Sequence, residues 1–180
     1  RIERLLDWGR MEAGKRVYRF PRDDMGQEIA ASIEHFRAAT MGQERPLEVE
    51  VPAGLPPILA DRGALEDALL NLLTNAHKYS PLDQSIAVRA SADKHHVHVA
   101  VEDHGIGIPP EALPRIFERF YQVDSSTTRV FRGAGLGLSL VKSLVELHCG
   151  RVELKSVPDS GTQVTCHIPF DPAVALPAAD

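Results

Sequence analysis

Asp67, Asn71, Asn75 and Lys78 stand four, four and three residues apart in the segment DALLNLLTNAHKYS. On a helix those spacings bring all four onto one face. Leu65, Leu69, Leu72, Leu73 and Ala76 supply the opposite, apolar face. A solvated stripe is ordinarily built from Glu, Lys and Arg, because each Asn costs about half a kcal/mol relative to Ala in a helix. Two aligned amides followed by a lysine instead suit oxygen ligation of a hard cation and contact with phosphates. On these residues alone the solvated stripe remains the alternative.

A second constellation lies in VHVAVEDHGIGIP. Val97, Val99, Val101 and Asp103 share one strand face, so the alternation carries a carboxylate to the apolar side, where it needs donors. Those donors can come from elsewhere in the protein, or Asp103 can be a surface turn residue. They can also come from a ligand's amino group, with Gly105 and Gly107 admitting close backbone approach. An adenine ring offers both the amine and an apolar face. The third constellation is RGAGLGLSLVKSL, where Gly133, Gly135 and Gly137 lead directly into an amphipathic helix. Exposed N–H groups and the helix dipole there would face a bound anion; a plain hinge is the alternative. The loop lacks the Gly-Lys-Ser/Thr ending of a P-loop and the strand-then-G-x-G-x-x-G spacing of a dinucleotide site. In this order within one domain, the three describe a nucleoside triphosphate site built without a P-loop.

The elements that must position these residues read as follows. An uncapped helical pattern opens the chain and ends at Gly14, followed by a short strand over Val17–Phe20. Asp23 or Asp24 caps a helix carrying Ile29, Ile33 and Phe36. Strands are expected at Leu47–Val51, Ile58–Ala60, Ile86–Ala90 and Val97–Asp103, the last two joined around Asp93. Asp61 caps the long helix through Leu65 to Tyr79. A short helical piece falls at Leu113–Phe120 and a helix at Leu136–His148 with Gly150 as its stop. Strands Val152–Ser156 and Gln163–Ile168 close the domain before a proline- and alanine-rich tail expected to be disordered. The elements lack regular βα alternation, so the fold class is α+β: a two-layer α/β sandwich, its mixed, mostly antiparallel sheet packed against helices. The domains divide as 1–14 (the end of a cut helix), 15–170 and 171–180.

With 180 residues and a net charge of −5, the chain can bury a proper core and gives no electrostatic reason to expect nucleic acid. Cys149 and Cys166 form no spaced framework, which favours a reducing compartment. No apolar stretch is long enough to span a bilayer.

The residues resemble the catalytic, ATP-binding domain of sensor histidine kinases, in the superfamily of gyrase, heat-shock chaperone and mismatch-repair ATPases. NLLTNAHKY looks like the family's asparagine box, DHGIGI and RGAGLGL its first two glycine boxes, IFERFYQVD its phenylalanine box, and SGT at Ser160–Thr162 its last glycine box. RLLDWGRMEAGK resembles the end of the second dimerisation helix. The resemblance implies a Bergerat-type fold and binding of ATP with Mg2+. Asn71 would ligate magnesium, Asn75 would contact phosphates, Lys78 would neutralise phosphate charge and Tyr79 would lie along the nucleotide. Asp103 would read the adenine amine beside Gly105 and Gly107. Gly133, Gly135, Leu136 and Gly137 would form the lid, Arg129 would stabilise the transferred phosphoryl, and Thr162 would border the adenine end. Ile116 and Tyr121 complete the ATP-binding set, and Asn71, Lys78 and Arg129 the catalytic one.

Four positions depart from the family pattern: Gln122 for a basic residue, and Arg132, Asp159 and Cys149 for glycines. None strikes the Asn–Asp–Gly core. No His-Glu-x-x-Arg-Thr-Pro-like segment is present, and His35 lacks that motif, so the phosphorylated histidine is expected on a dimerisation domain absent from this chain. The implied partners are that domain, a response-regulator receiver domain and a second copy in a homodimer. The implied location is cytoplasmic, in a protein anchored in a bacterial inner membrane. The rival readings are an ATPase conformational switch, with Asp67 one methylene shorter than the Glu that would activate water, and a non-catalytic nucleotide-binding module. Phe117 and Phe120 are expected in core or lid packing, and His104 in a turn. His96 and His98 share a strand face, with zinc ligation the lesser alternative to a solvated strand.

Overall fold

Alternation with period two builds a five-stranded sheet with one apolar face. The computed structural model describes residues 17–123 and 135–170. The sheet order is β2 (Leu47–Glu50), β4 (Ile86–Ala92), β5 (His96–Asp103), β7 (Gly161–Pro169) and β6 (Arg151–Val157). Only β2 and β4 pair in parallel; the other neighbours are antiparallel. Register sets Val97, Val99 and Val101 of β5 opposite Ile168, Cys166 and Val164 of β7. All six are buried, as are Ile86 and Val88 of β4. The other face carries charge, with Arg89 bonded to Glu102 (2.6 Å) and Lys155 to Glu153 (2.9 Å). A second, two-stranded sheet pairs β1 (Arg22–Asp23) with β3 (Ile58–Leu59).

Three helices cover the apolar face: α1 (Met25–Ala39), α2 (Arg62–Tyr79) and α3 (Gly137–Leu147). Helix α2 lies between the other two and packs on both. Its Leu65, Leu69, Leu72 and Leu73 are buried, each contributing on the order of 2 kcal/mol. Each Asn costs only about half a kcal/mol in propensity, so the apolar face decides the helix and leaves the polar face for other work. Asp24 and Asp61 cap α1 and α2, accepting from Gly26 N and Ala64 N. Asp23, the other capping candidate, instead pairs with Arg62 (2.8 Å), which also reaches Glu28 (2.9 Å). Burial, and then the charge of Asp23, pushes the Glu28 carboxyl up to about 7, with Arg62 opposing.

The two-layer mixed sandwich expected from sequence is present, with local corrections. The strand expected at Val17–Phe20 forms at Arg22–Asp23, where Ala60 N reaches Pro21 O and Ile58–Leu59 supplies a partner. Leu113–Phe120 contains only a single 3₁₀ turn, Leu113–Arg115, and ends with Phe120 at positive φ (62°), which no helix accommodates. The left-handed residue that ends α3 is Cys149 (φ 57°), not Gly150. The segments assigned to the truncated dimerisation helix and the tail lie outside the described residues. Both cysteines are free thiols, and burial pushes Cys166 up to about 12.

His148 joins two helix ends. It donates from Nδ1 to Leu144 O (2.7 Å) and accepts at Nε2 from Asp61 N (3.0 Å), with Phe20 edge-on at 5.3 Å. Acceptance at Nε2 requires a neutral ring, and burial lowers its pKa below the ordinary value against the raising effect of Leu144 and Asp61. A depressed histidine contributes stability that is complete above about 6.5 and is lost as pH falls toward its folded value. Glu28 acts with the opposite sign, its contribution fading as pH rises toward 7. Replacing His148 with Gln should therefore cost less melting temperature at pH 5.5 than at pH 7, which thermal melts of variant and wild type at both pH values read directly. Cys149→Gly should raise stability by about 1 kcal/mol by removing a Cβ from left-handed backbone, measured as a higher urea midpoint at unchanged slope.

Candidate functional site

The polar face of α2 is half-buried, not a solvated stripe. Asn71 is 7% exposed, and its Nδ2 donates to Asp67 O at 2.7 Å, which fixes the amide and leaves Oδ1 as its acceptor end. Gly137, the first residue of α3, sits directly over this face. A Cβ there would lie 3.2 Å from Asn75 Nδ2, 3.4 Å from Asn75 Oδ1 and 3.7 Å from Asn71 Oδ1. No side chain caps the N-terminus of α3, because Leu136 holds the cap position and Ser139 turns its hydroxyl back to Leu136 O (3.0 Å). The helix thus presents its first N–H groups and positive dipole end beside two amides. Lys78 Nζ bonds to the Tyr79 hydroxyl (2.8 Å) at the same end of α2. This face holds amide oxygens, an ammonium and helix N–H groups, the donor and acceptor set that a metal-bound phosphate chain requires.

At the other side stands Asp103, at the end of β5. Its Oδ1 accepts from Gly105 N (2.8 Å) and the Ser80 hydroxyl (3.2 Å). Burial raises its pKa above the usual carboxylate value, while bonds from Gly105, Ser80 and the Thr162 backbone, and the charge of His104, pull the other way. Glycine is required around it by contact, since a Cβ on Gly105 would sit 2.3 Å from Tyr79 O and one on Gly161 1.9 Å from Asp103 O. Gly107 (φ 65°) would meet Val157 O at 2.1 Å. Ser156 gathers this end together, bonding Ile108 N (2.8 Å), Gly161 O (3.0 Å) and the Thr162 hydroxyl (2.8 Å).

Phe120 and Gly135 meet through Phe120 N and Gly135 O (2.9 Å), both residues at positive φ (62° and 67°). Phe120 is 60% exposed and so lies outside the core, one of the two places expected for it. Ile116 and Phe117 are half-buried, and Arg115 lies over the Tyr121 ring (4.4 Å). Arg129, Gly133 and Arg132 lie outside the described residues. Asp159 (φ 58°), like Cys149, stands in left-handed backbone where the family pattern has glycine.

The two histidines weighed for zinc both stand beside Asp93, His96 with its Nδ1 at 3.4 Å. His98 Nδ1 is 2.7 Å from His167 Nδ1 and its Nε2 3.1 Å from Asp93, a hydrogen-bonded chain on the outer sheet face. Among the described residues no three such groups converge on a metal position. Three residues of the site had no sequence assignment: Ser80, Ser156 and Arg45. Small hydroxyls and an arginine outside the motifs carry no spacing signal, although Ser80 closes the asparagine segment itself.

The family of histidine kinase-, DNA gyrase B- and HSP90-like ATPases matches residues 60–172, which span α2, both sides of the site and the last strands. The chain belongs to that family. This ATPase domain is 34% identical over 177 residues to the phosphate regulon sensor protein PhoR of Pseudomonas aeruginosa, covering 96% of this chain and 39% of that protein. It superposes on the mycobacterial sensor histidine kinase MprB at a TM-score of 0.71 with 32% identity, covering 83% of this chain and 97% of that one. Full-length ShkA, solved in complex with AMPPNP, gives a TM-score of 0.73 at 30% identity over 91% of this chain and 33% of that one. The domain spans 20% of the length of the non-motile and phage-resistance protein of Caulobacter vibrioides and 39% of PhoR. No helix among the described residues is long and apolar enough to cross a membrane.

Gly137→Ala tests the closeness of the two helices. Its methyl meets only side-chain amides, so the domain should fold with near wild-type circular dichroism while nucleotide affinity falls at least about tenfold (about 1.4 kcal/mol) by calorimetry.

Proposed function

We propose that this ATPase domain is the catalytic part of a two-component sensor histidine kinase, passing the γ-phosphoryl group of ATP to a histidine on a dimerisation domain for relay to a response-regulator aspartate. The observation that carries this reading is the convergence of Gly137, at an uncapped helix start, on the amides of Asn71 and Asn75. Similarity to PhoR and MprB, both named as sensor proteins or kinases, favours phosphotransfer over an ATP-driven conformational switch.

The residues divide the work by position. Asp103, its Oδ1 held by Ser80 and Gly105, accepts from the adenine amine, with Gly107 and Thr162 bordering the ring and Tyr79, Ile116 and Tyr121 flanking the nucleotide. Asn75, Lys78 and the N–H groups from Gly135 through Gly137 bind phosphate oxygens, and Leu136 closes over them. Magnesium fits because Asn71 has its Nδ2 engaged and its Oδ1 facing Gly137; a single neutral oxygen suffices when phosphates supply the remaining charge. Bound there, the ion would neutralise charge on the β- and γ-phosphates. Arg129 and Gly133 join this set on family pattern. Transfer then depends, in this domain, on alignment and charge neutralisation, while an imidazole nitrogen of the dimerisation domain's histidine attacks and ADP leaves. Cytoplasmic placement and a membrane-anchored homodimer in the whole protein belong to the same reading.

Titration with ADP and ATP, with and without Mg2+, should show tighter triphosphate binding with the metal and at least about a tenfold loss in Asp103→Asn. With labelled ATP alone the domain should gain no phosphohistidine; with a dimerisation domain supplied in trans, label should appear on that partner. Steady ATP hydrolysis without any histidine substrate, abolished by Asp67→Asn, would overturn the kinase reading in favour of the switch.

A further inference from the structure

Arg45 lies between α1 and β2, outside every motif, and is 8% exposed. Its Nη2 donates to His77 O (2.9 Å) and Ser80 O (3.1 Å), and its Nε to His77 Nδ1 (3.0 Å). These carbonyls belong to the last turn of α2 and its cap, where intrahelical donors run out and the dipole is negative. Nη2 alone binds both carbonyls while Nε holds the His77 ring, and the two together fix the planar guanidinium in one orientation. Burial lowers the Arg45 pKa, and the charge of Asp103 opposes that by favouring the cation. Its Nη1 is buried with no acceptor among the described residues.

A helix end needs none of this. Glycine or a surface lysine would finish α2, whereas taking a guanidinium out of water costs several kcal/mol before partners offset it. What this location offers is the particular residue it grips. Ser80, held through its carbonyl by Arg45, donates through its hydroxyl to Asp103. The adjacent Tyr79 carbonyl accepts from Ile106 N (3.2 Å) in the loop that follows Asp103. Arg45 therefore sits two bonds from the carboxylate and touches nothing that a base would touch.

We propose that Arg45 is a positioning residue for base recognition: it locks the end of α2 so that Ser80 holds Asp103 in the orientation that selects a purine amino group. This inference rests on the nucleotide reading above. Loss of Arg45 frees the Ser80 backbone, the Asp103 carboxylate gains rotational freedom, and adenine loses its oriented acceptor. A purine with a carbonyl in place of that amine has little to lose. A residue serving only stability would lower the melting temperature without changing the preference between bases.

The test measures dissociation constants for ATP and GTP, well below the melting temperature, in wild type, Arg45→Gln, Ser80→Ala and the double variant. Arg45→Gln should weaken ATP about tenfold, leave GTP within about twofold, and so lower selectivity. The double variant should lose no more than the weaker-binding single variant, because both act through one bond. Unchanged selectivity in Arg45→Gln, or losses that multiply in the double variant, would overturn the proposal. Should Arg45→Gln fail to fold, Arg45→Lys keeps a cation at the helix end without the two-pronged grip: reduced selectivity supports the proposal, wild-type selectivity overturns it. Wild type failing to bind ATP at all would instead remove the nucleotide reading on which it rests.

Discussion

The end of α2 meets the end of β5 with no room for a side chain between them. Tyr79 O accepts from Ile106 N, Ser80 bonds Asp103, and Gly105 presses against the Tyr79 carbonyl. This junction makes one cleft out of two elements that otherwise only share a core. The helix brings amides and an ammonium and the strand brings a carboxylate, and their separation is set by backbone contact rather than by flexible side chains. Contacts of that kind are stiff, because steric overlap at 2.3 Å is not relieved by a rotamer change.

The same division runs through the energetics. Apolar burial along α2 and β5 is large enough that both can carry residues poorly suited to their secondary structure: asparagines in a helix and an aspartate at the inner face of a strand. A buried carboxylate without partners would be costly, and Asp103 is supplied with backbone and hydroxyl donors before any ligand arrives. The site is thus largely organised in advance, which limits the ordering that binding must impose.

Much of this was legible in the sequence. The i, i+4 spacing of Asn71 and Asn75 and the alternation ending at Asp103 are local periodicities, and local periodicity survives folding unchanged. Helix starts were equally readable, because Asp24 and Asp61 cap through their own neighbouring amides. What failed depended on partners distant in the chain. Arg22–Asp23 becomes a strand only because Ile58–Leu59 lies beside it. Cys149 adopts a backbone conformation normally left to glycine, so the residue type pointed one position too far. Phe120, whose helical spacing allowed core or lid, is exposed and stands in left-handed backbone that no helical spacing predicts. Arg45 and Ser156 act across gaps of dozens of residues, and no spacing rule reaches that far.

Phe120 and Gly135 are pinned by one backbone bond, with both residues bent into the same left-handed backbone. That bond sets Gly135, and with it the start of α3 two residues later, at a fixed distance from Phe120. A side chain that cannot adopt positive φ at Gly135 would therefore move the first turn of α3 relative to the amides beneath Gly137.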